Sequence, residues 1–190
     1  MPDITLEQGT QLRFCVTASF SPADAGTNFT EGSPTDVVLT QASLANAAGR
    51  QSTKADLGAN RAARYAVHAA VDFTDETPTA GNRVDYYWAP SPVATAGSGN
   101  VAGNSGADGA APDGALGTIT LAEFLLQCEF IGSLVVHDGA SVQNGFVGVL
   151  VPTTRYGQLI VVNNSGDAFE ADDVEMAVWL TPMVDDVAAS

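Results

Sequence analysis

The chain is predicted to be all-β: a jelly-roll-like antiparallel β-sandwich of about eight strands, with long loops and at most one or two short helices. Three observations support that class. Apolar residues recur with period two in run after run, the periodicity of a strand with one buried face. Clusters of Gly, Pro, Asn and Asp separate those runs. Patterning with the helical period is nearly missing.

The elements follow in order. QLRFCVTASF alternates Leu12, Phe14, Val16, Ala18 and Phe20 against Arg13, Cys15, Thr17 and Ser19. TDVVLTQ, from Thr35, is a shorter strand. ARYAVHAAVDF places Tyr65, Val67, Ala69, Val71 and Phe73 on one face, with Arg64, His68 and Asp72 on the other. The turn chemistry of DETPTAGNR leads into RVDYYWA, where Val84, Tyr86 and Trp88 point inward. These last two strands are expected to form an antiparallel pair. EFIGSLVVHD ends in Asp138-Gly139, a hairpin signal, and NGFVGVLVP and YGQLIVVNNSG follow it. The last strand, DVEMAVWLTPMV, turns Val174, Met176, Val178 and Leu180 to one side, and Pro182 argues that this end lies at a sheet edge. TLAEFLLQCE is the one good helix, with Thr120 as N-cap and Glu123 completing a capping box. TQASLANAAG can supply another turn or two of helix. An immunoglobulin-like sandwich is the alternative architecture, although a Cys…Trp…Cys arrangement is not evident.

Residues 1–190 read as one domain with two long loop or arm segments, 45–64 and 90–117. The formal charge is −15, from 22 acidic and 7 basic residues, which repels phosphate backbones and argues against nucleic acid as a partner. A 45% hydrophobic content in patterned runs excludes disorder. The opening MPDITLEQGTQLRF has neither a basic region nor an apolar stretch of signal-peptide type, and FLLQCEFIGSLVV is too interrupted to span a membrane. The protein is therefore expected to fold in cytoplasm, with Cys15 and Cys128 as reduced thiols and the sequons at Asn28 and Asn163 as chance matches.

No catalytic or cofactor signature emerges. His68 and His137 lie in different strands with no cysteine pattern nearby, and EADDVE reads as a solvated acidic turn. A Cys128–His137 pairing is available by chance in such a chain. No G-x-S-x-G elbow occurs, and GSGNVAGNSG lacks the Lys-Ser/Thr of a phosphate loop. The expectation is a non-enzyme with no metal and no cofactor.

The candidate interface is drawn from two features. Arg50, Lys54, Arg61 and Arg64 hold four of the seven positive charges within one segment. They either offset self-repulsion or form a contact arm for an acidic neighbour, as the residues before Leu12 also can. Tyr87 and Trp179 are out of phase with the apolar faces of their strands, so each should lie on an outer, covered surface.

AGRQSTKADLG, RAARYAVHAAVDF, YYWAPSPVATAGSGN…SGADGA, EFIGSLVV, TRYGQLIVVNNSG and VEMAVWLTPMVDDV together resemble small virion structural proteins of tailed bacteriophages. The likeness runs from about Ala48 to the end of the chain and carries no catalytic residues. It implies a β-sandwich unit that assembles symmetrically, as a homotrimer, on the outer surface of the virion. The most specific expectation is a capsid decoration (cement) protein that bridges subunits of the major capsid protein, with no nucleic acid or membrane partner. A head- or tail-fibre or tail-associated subunit, and a host-glycan adhesion module, are the alternatives. The glycine-rich residues 97–117 are then expected to become ordered only against a neighbouring subunit.

Overall fold

A computed structural model describes residues 9–17, 19–22, 25–114 and 119–183. Among them eleven strands and one α-helix form: β1 Leu12–Cys15, β2 Thr35–Val38, β3 Gly49–Gln51, β4 Ala55–Asp56, β5 Arg64–Val71, β6 Arg83–Ser91, β7 Gly109–Ala110, α1 Leu121–Leu125, β8 Glu129–Val135, β9 Gln143–Leu150, β10 Tyr156–Asn164 and β11 Ala177–Met183. Of the residues before Leu12, where one arm was expected, 1–8 lie outside the described residues, while Gln11 is buried against its own chain and donates to the Phe29 carbonyl (2.9 Å) and Thr181 Oγ1 (2.7 Å).

The strands run as one curled ribbon, β2-β1-β11-β5-β9-β8-β6-β10-β3-β7, with β4 also on β10. Between β8 and β9 only Gly132 and Gly148 are paired, and there the ribbon folds over. Setting aside the short β2, β4 and β7, the sheet β1-β11-β5-β9 faces β3-β10-β6-β8, which is jelly-roll order. Pairing is antiparallel except for β1 with β2.

Alternation explains the core. Leu12, Phe14, Tyr65, Val67, Ala69, Val71, Val178 and Leu180 from one sheet meet Val84, Tyr86, Trp88, Leu159 and Val161 from the other. Phe14 meets Trp88 edge to face across the gap, with ring centroids 6.5 Å apart.

The structure corrects several expectations. β5 and β6 are not a pair: β5 lies between β11 and β9, while β6 lies between β10 and β8. Both strands point their apolar faces at the same core from opposite sides, so a hairpin between them would leave one face uncovered. β11 as a whole is an interior strand, but its Pro182 end is open on the β1 side, as expected of that end, because the β1 ladder stops at Leu12–Leu180. β1 stops at Cys15, where Ser19 and Phe20 N–H groups turn back to the Val16 carbonyl. TQASLANAAG forms no helix: Ser43 and Ala47 take positive φ, and Asp173 accepts the N–H groups of Gln41 and Ala42. Residues 45–64 are not a loose arm, since β3 and β4 both pair with β10.

Helix α1 forms as its capping box predicts. Thr120 Oγ1 accepts from the Glu123 N–H at 3.3 Å, and Glu123 accepts from the Thr120 N–H at 2.9 Å. Its Phe124 fills a second small core with Ala89, Ala111, Ile160 and Val162, on the outer face of the β10 sheet. This explains why β10 is apolar on both faces.

Within the main core the Tyr86 hydroxyl has no hydrogen-bond partner, and burial keeps the phenol neutral. Tyr86→Phe should therefore leave the unfolding free energy unchanged or raise it by up to about 1 kcal/mol. Tyr86→Ala should lower it by about 3–5 kcal/mol. Chemical denaturation of the two variants checks both values, and a large loss in Tyr86→Phe would show that the hydroxyl is satisfied.

Candidate interaction surface

The two irregular segments of the sequence hold each other. Lys54 Nζ lies within hydrogen-bond distance of four acceptors, Ser91 Oγ (3.0 Å) and the carbonyls of Val93 (3.0 Å), Thr95 (2.7 Å) and Ser98 (2.7 Å), which share its three N–H groups. One ammonium thus gathers the turn that follows β6. Arg50 pairs with Asp108 at 3.5 Å, and β3 ladders onto β7. Gln51 accepts from Asn104 Nδ2 at 2.7 Å in a buried bond. Gly106 stands so close to Ala96 that a Cβ there would lie 2.0 Å from the Ala96 carbonyl oxygen. The expectation that residues 97–117 order only against a neighbour is therefore corrected for 97–114, which fold onto their own chain. Residues 115–118 lie outside the described residues.

The predicted basic patch is accordingly divided. Arg50 and Lys54 are spent on internal contacts, while Arg61 and Arg64 lie exposed at the entry to β5. Sequence crowding brought four positive charges together in the chain but not on one free surface.

Trp179 does face outward from its sheet, as its phase predicts, but the chain itself covers it completely. Phe20 and Phe29, from the segment between β1 and β2, meet its ring edge to face at 6.0 and 5.3 Å. Its Nε1 donates to Thr30 Oγ1 at 3.1 Å. The residue is a structural anchor and is corrected as an interface candidate. Tyr87 is half-buried, with its ring 5.1 Å from that of Phe130. His68 is stacked on Phe29 at 4.7 Å and meets Phe146 at 5.4 Å.

Burial raises the Cys15 thiol to about 11 and the Cys128 thiol to about 12, so both stay protonated near neutral pH. Cys128 Sγ donates to the Phe124 carbonyl, while His137 Nδ1 accepts from the Gly139 N–H. In the acidic turn, Asp173 accepts from backbone N–H groups and is buried. Among the described residues no cluster of three metal-ligating side chains occurs.

One surface was not singled out in the sequence. Phe130 and Val135 of β8, Phe146 and Val149 of β9, and Val151 just beyond β9 are all exposed, by 40% to 66%. They line the edge where the ribbon folds over. The signal for it was present: from Phe130 to Thr154 the only ionisable residues are His137 and Asp138. Asp85, on the outer face beside β8, is buried and accepts from Arg83, Ser133 and Asn164.

Comparison of the chain with protein-family models, curated proteins and solved structures gives no match.

Two outcomes follow from this geometry. Lys54→Met should speed hydrogen exchange across residues 93–99 and lower stability by about 1–2 kcal/mol. Lys54→Arg should not restore protection, because a planar guanidinium cannot aim at four converging acceptors. Unchanged exchange in Lys54→Met would remove the clamp assignment. For His68, burial is the larger influence and holds its pKa below the ordinary 6.5, with Glu31 opposing. The unfolded chain therefore takes up a proton before the folded one does, and His68 costs stability as pH falls through about 6.5. The drop in thermal midpoint between about pH 7 and pH 5 should be smaller in His68→Gln than in the parent protein.

Proposed function

We propose that this chain is a non-enzymatic structural subunit of a tailed-bacteriophage virion: a head decoration (cement) protein on the outer capsid surface, bridging major capsid subunits. The observation that carries this reading is the jelly-roll order of β1-β11-β5-β9 against β3-β10-β6-β8. That is the kind of unit implied by the resemblance of the chain from Ala48 onward.

Charge supports the same placement. A body of formal charge −15 is repelled by packaged phosphates and is better placed outside a DNA-filled shell than within it. The irregular segments are consistent with a surface that must survive repeated contact, because they are tied down by Lys54 and by the β3–β7 ladder. A cement protein works by repetition: contacts of modest affinity, multiplied across a lattice, hold a shell together. In this reading the partners are further copies of the chain, arranged as a homotrimer, and the major capsid protein. Nucleic acid and membrane are not partners.

A head- or tail-fibre subunit would use the same sandwich and differs in copy number. The glycan-adhesion reading relied on Tyr87 and Trp179; Trp179 is fully covered and Tyr87 is half-buried against Phe130.

The test uses purified particles. Hundreds of copies per virion, together with a loss of thermal and mechanical stability when the protein is stripped off, are expected of a cement protein. Particles that lose it without weakening defeat the cement assignment. A dozen copies or fewer place the chain in a tail or fibre.

A further inference from the structure

We infer that the edge of the sandwich formed by β8 and β9 is where a second copy of this chain docks. The inference rests on the self-association in the proposed function and on no other part of it.

Three features of this edge point to that occupant. The first is its chemistry. Phe130, Val135, Phe146, Val149 and Val151 are exposed together where the outer faces of the two sheets meet. Two of them already sit in aromatic groups, Phe130 against Tyr87 and Phe146 against His68. Exposed rings with an apolar strip around them are the usual anchors of an interface. Ser133 and Asn144, on the same strands, offer a polar rim.

The second feature is the scarcity of charge: Glu129, at the start of β8, is the one charged residue on these two strands, and its carboxylate accepts from the Thr153 hydroxyl. No ionisable residue occurs in the stretches Phe130–Val136 or Gly139–Thr154, in a chain with 22 acidic and 7 basic residues. The neighbouring Asp85 carboxylate is neutralised by Arg83, with Nε and Oδ1 2.8 Å apart. Two copies that approach through acid-bearing surfaces repel each other, and a basic partner is drawn to those surfaces instead of to this strip. An anionic membrane or nucleic acid is repelled by the rest of the body. A second copy presents the matching uncharged, apolar strip, and contact through the two strips leaves the acidic surfaces facing solvent.

The third is backbone geometry. β8 and β9 share a single register pair, Gly132 with Gly148, while β8 ladders onto β6 and β9 onto β5 along their lengths, each with one bulge. Each strand therefore keeps an incompletely laddered side at this edge, where backbone groups of another copy can pair.

Sedimentation equilibrium of the intact purified protein tests this. The parent chain should self-associate, and Phe130→Thr/Phe146→Thr should weaken association by about 30-fold or more, the loss typical of removed aromatic anchors. Threonine suits strands, so the variant should keep its far-ultraviolet circular dichroism and cooperative melting. Val149→Glu is the second variant and should do the same by placing a charge in the strip. If the double variant fails to fold, Val149→Glu decides the matter. Val38→Thr alters an exposed side chain on β2, at the far end of the ribbon from this edge, and it should change nothing. Folded edge variants that associate as the parent does would overturn the docking surface and leave self-association standing. A parent chain that stays monomeric at about 100 µM, far above a micromolar dissociation constant, would overturn both, while copy number on particles separately decides the virion reading.

Discussion

The architecture depends on one close approach. At the fold-over between β8 and β9, a Cβ on Gly132 would stand 2.0 Å from the Val147 carbonyl oxygen, and one on Gly148 would stand 2.4 Å from that of Ile131. No side chain fits there without moving backbone. The two glycines let a single ribbon crease, so that its halves lie face to face and share one core. The bulges beside the crease, at Val147 on β9 opposite Val67/His68 and at Ile131 on β8 opposite Tyr86/Tyr87, fit the same demand for sharp local curvature. The crease also brings Phe130 and Phe146, from different sheets, to one edge.

Much of the fold was legible because hydrophobic burial has a period. β5, β6 and β11 follow their alternation, and the capping box located α1. β3 and β4 were missed because they are held differently. Gln51 and Ser52 are fully buried polar residues, satisfied by hydrogen bonds to Ala107, Leu159 and Asn104, so the segment shows no apolar rhythm. The order of the strands was also hidden. Alternation tells which face of β5 or β6 is buried, but it does not say which strand lies alongside. For Trp179 the phase was right and the coverer was not: a loop of the same chain does what a partner was expected to do.

Charge and shape divide the surface between them. The acidic residues keep bodies apart, and the apolar residues gather where acids are missing. The basic residues, too few to balance −15, are used locally: Arg13 with Asp36, Arg155 with Asp56, Arg83 with Asp85, and Lys54 with four acceptors around the β6 exit. The exposed pair of Arg155 with Asp56 adds little stability, but it fixes β4 against the start of β10.

The strand order also bears on when this chain can fold. β1 finds its antiparallel partner in β11, β3 in β10, β5 in β9 and β11, and β6 in β8 and β10. Apart from the short pairings of β1 with β2 and β3 with β7, every ladder of the first half waits for a strand that follows α1. As the chain leaves the ribosome, little of its first hundred residues can be sheltered by native pairing. The sandwich must close late and nearly at once, which is the slow, non-local kind of folding. In that interval the same acidity that spaces finished molecules also keeps unfinished ones from sticking to each other.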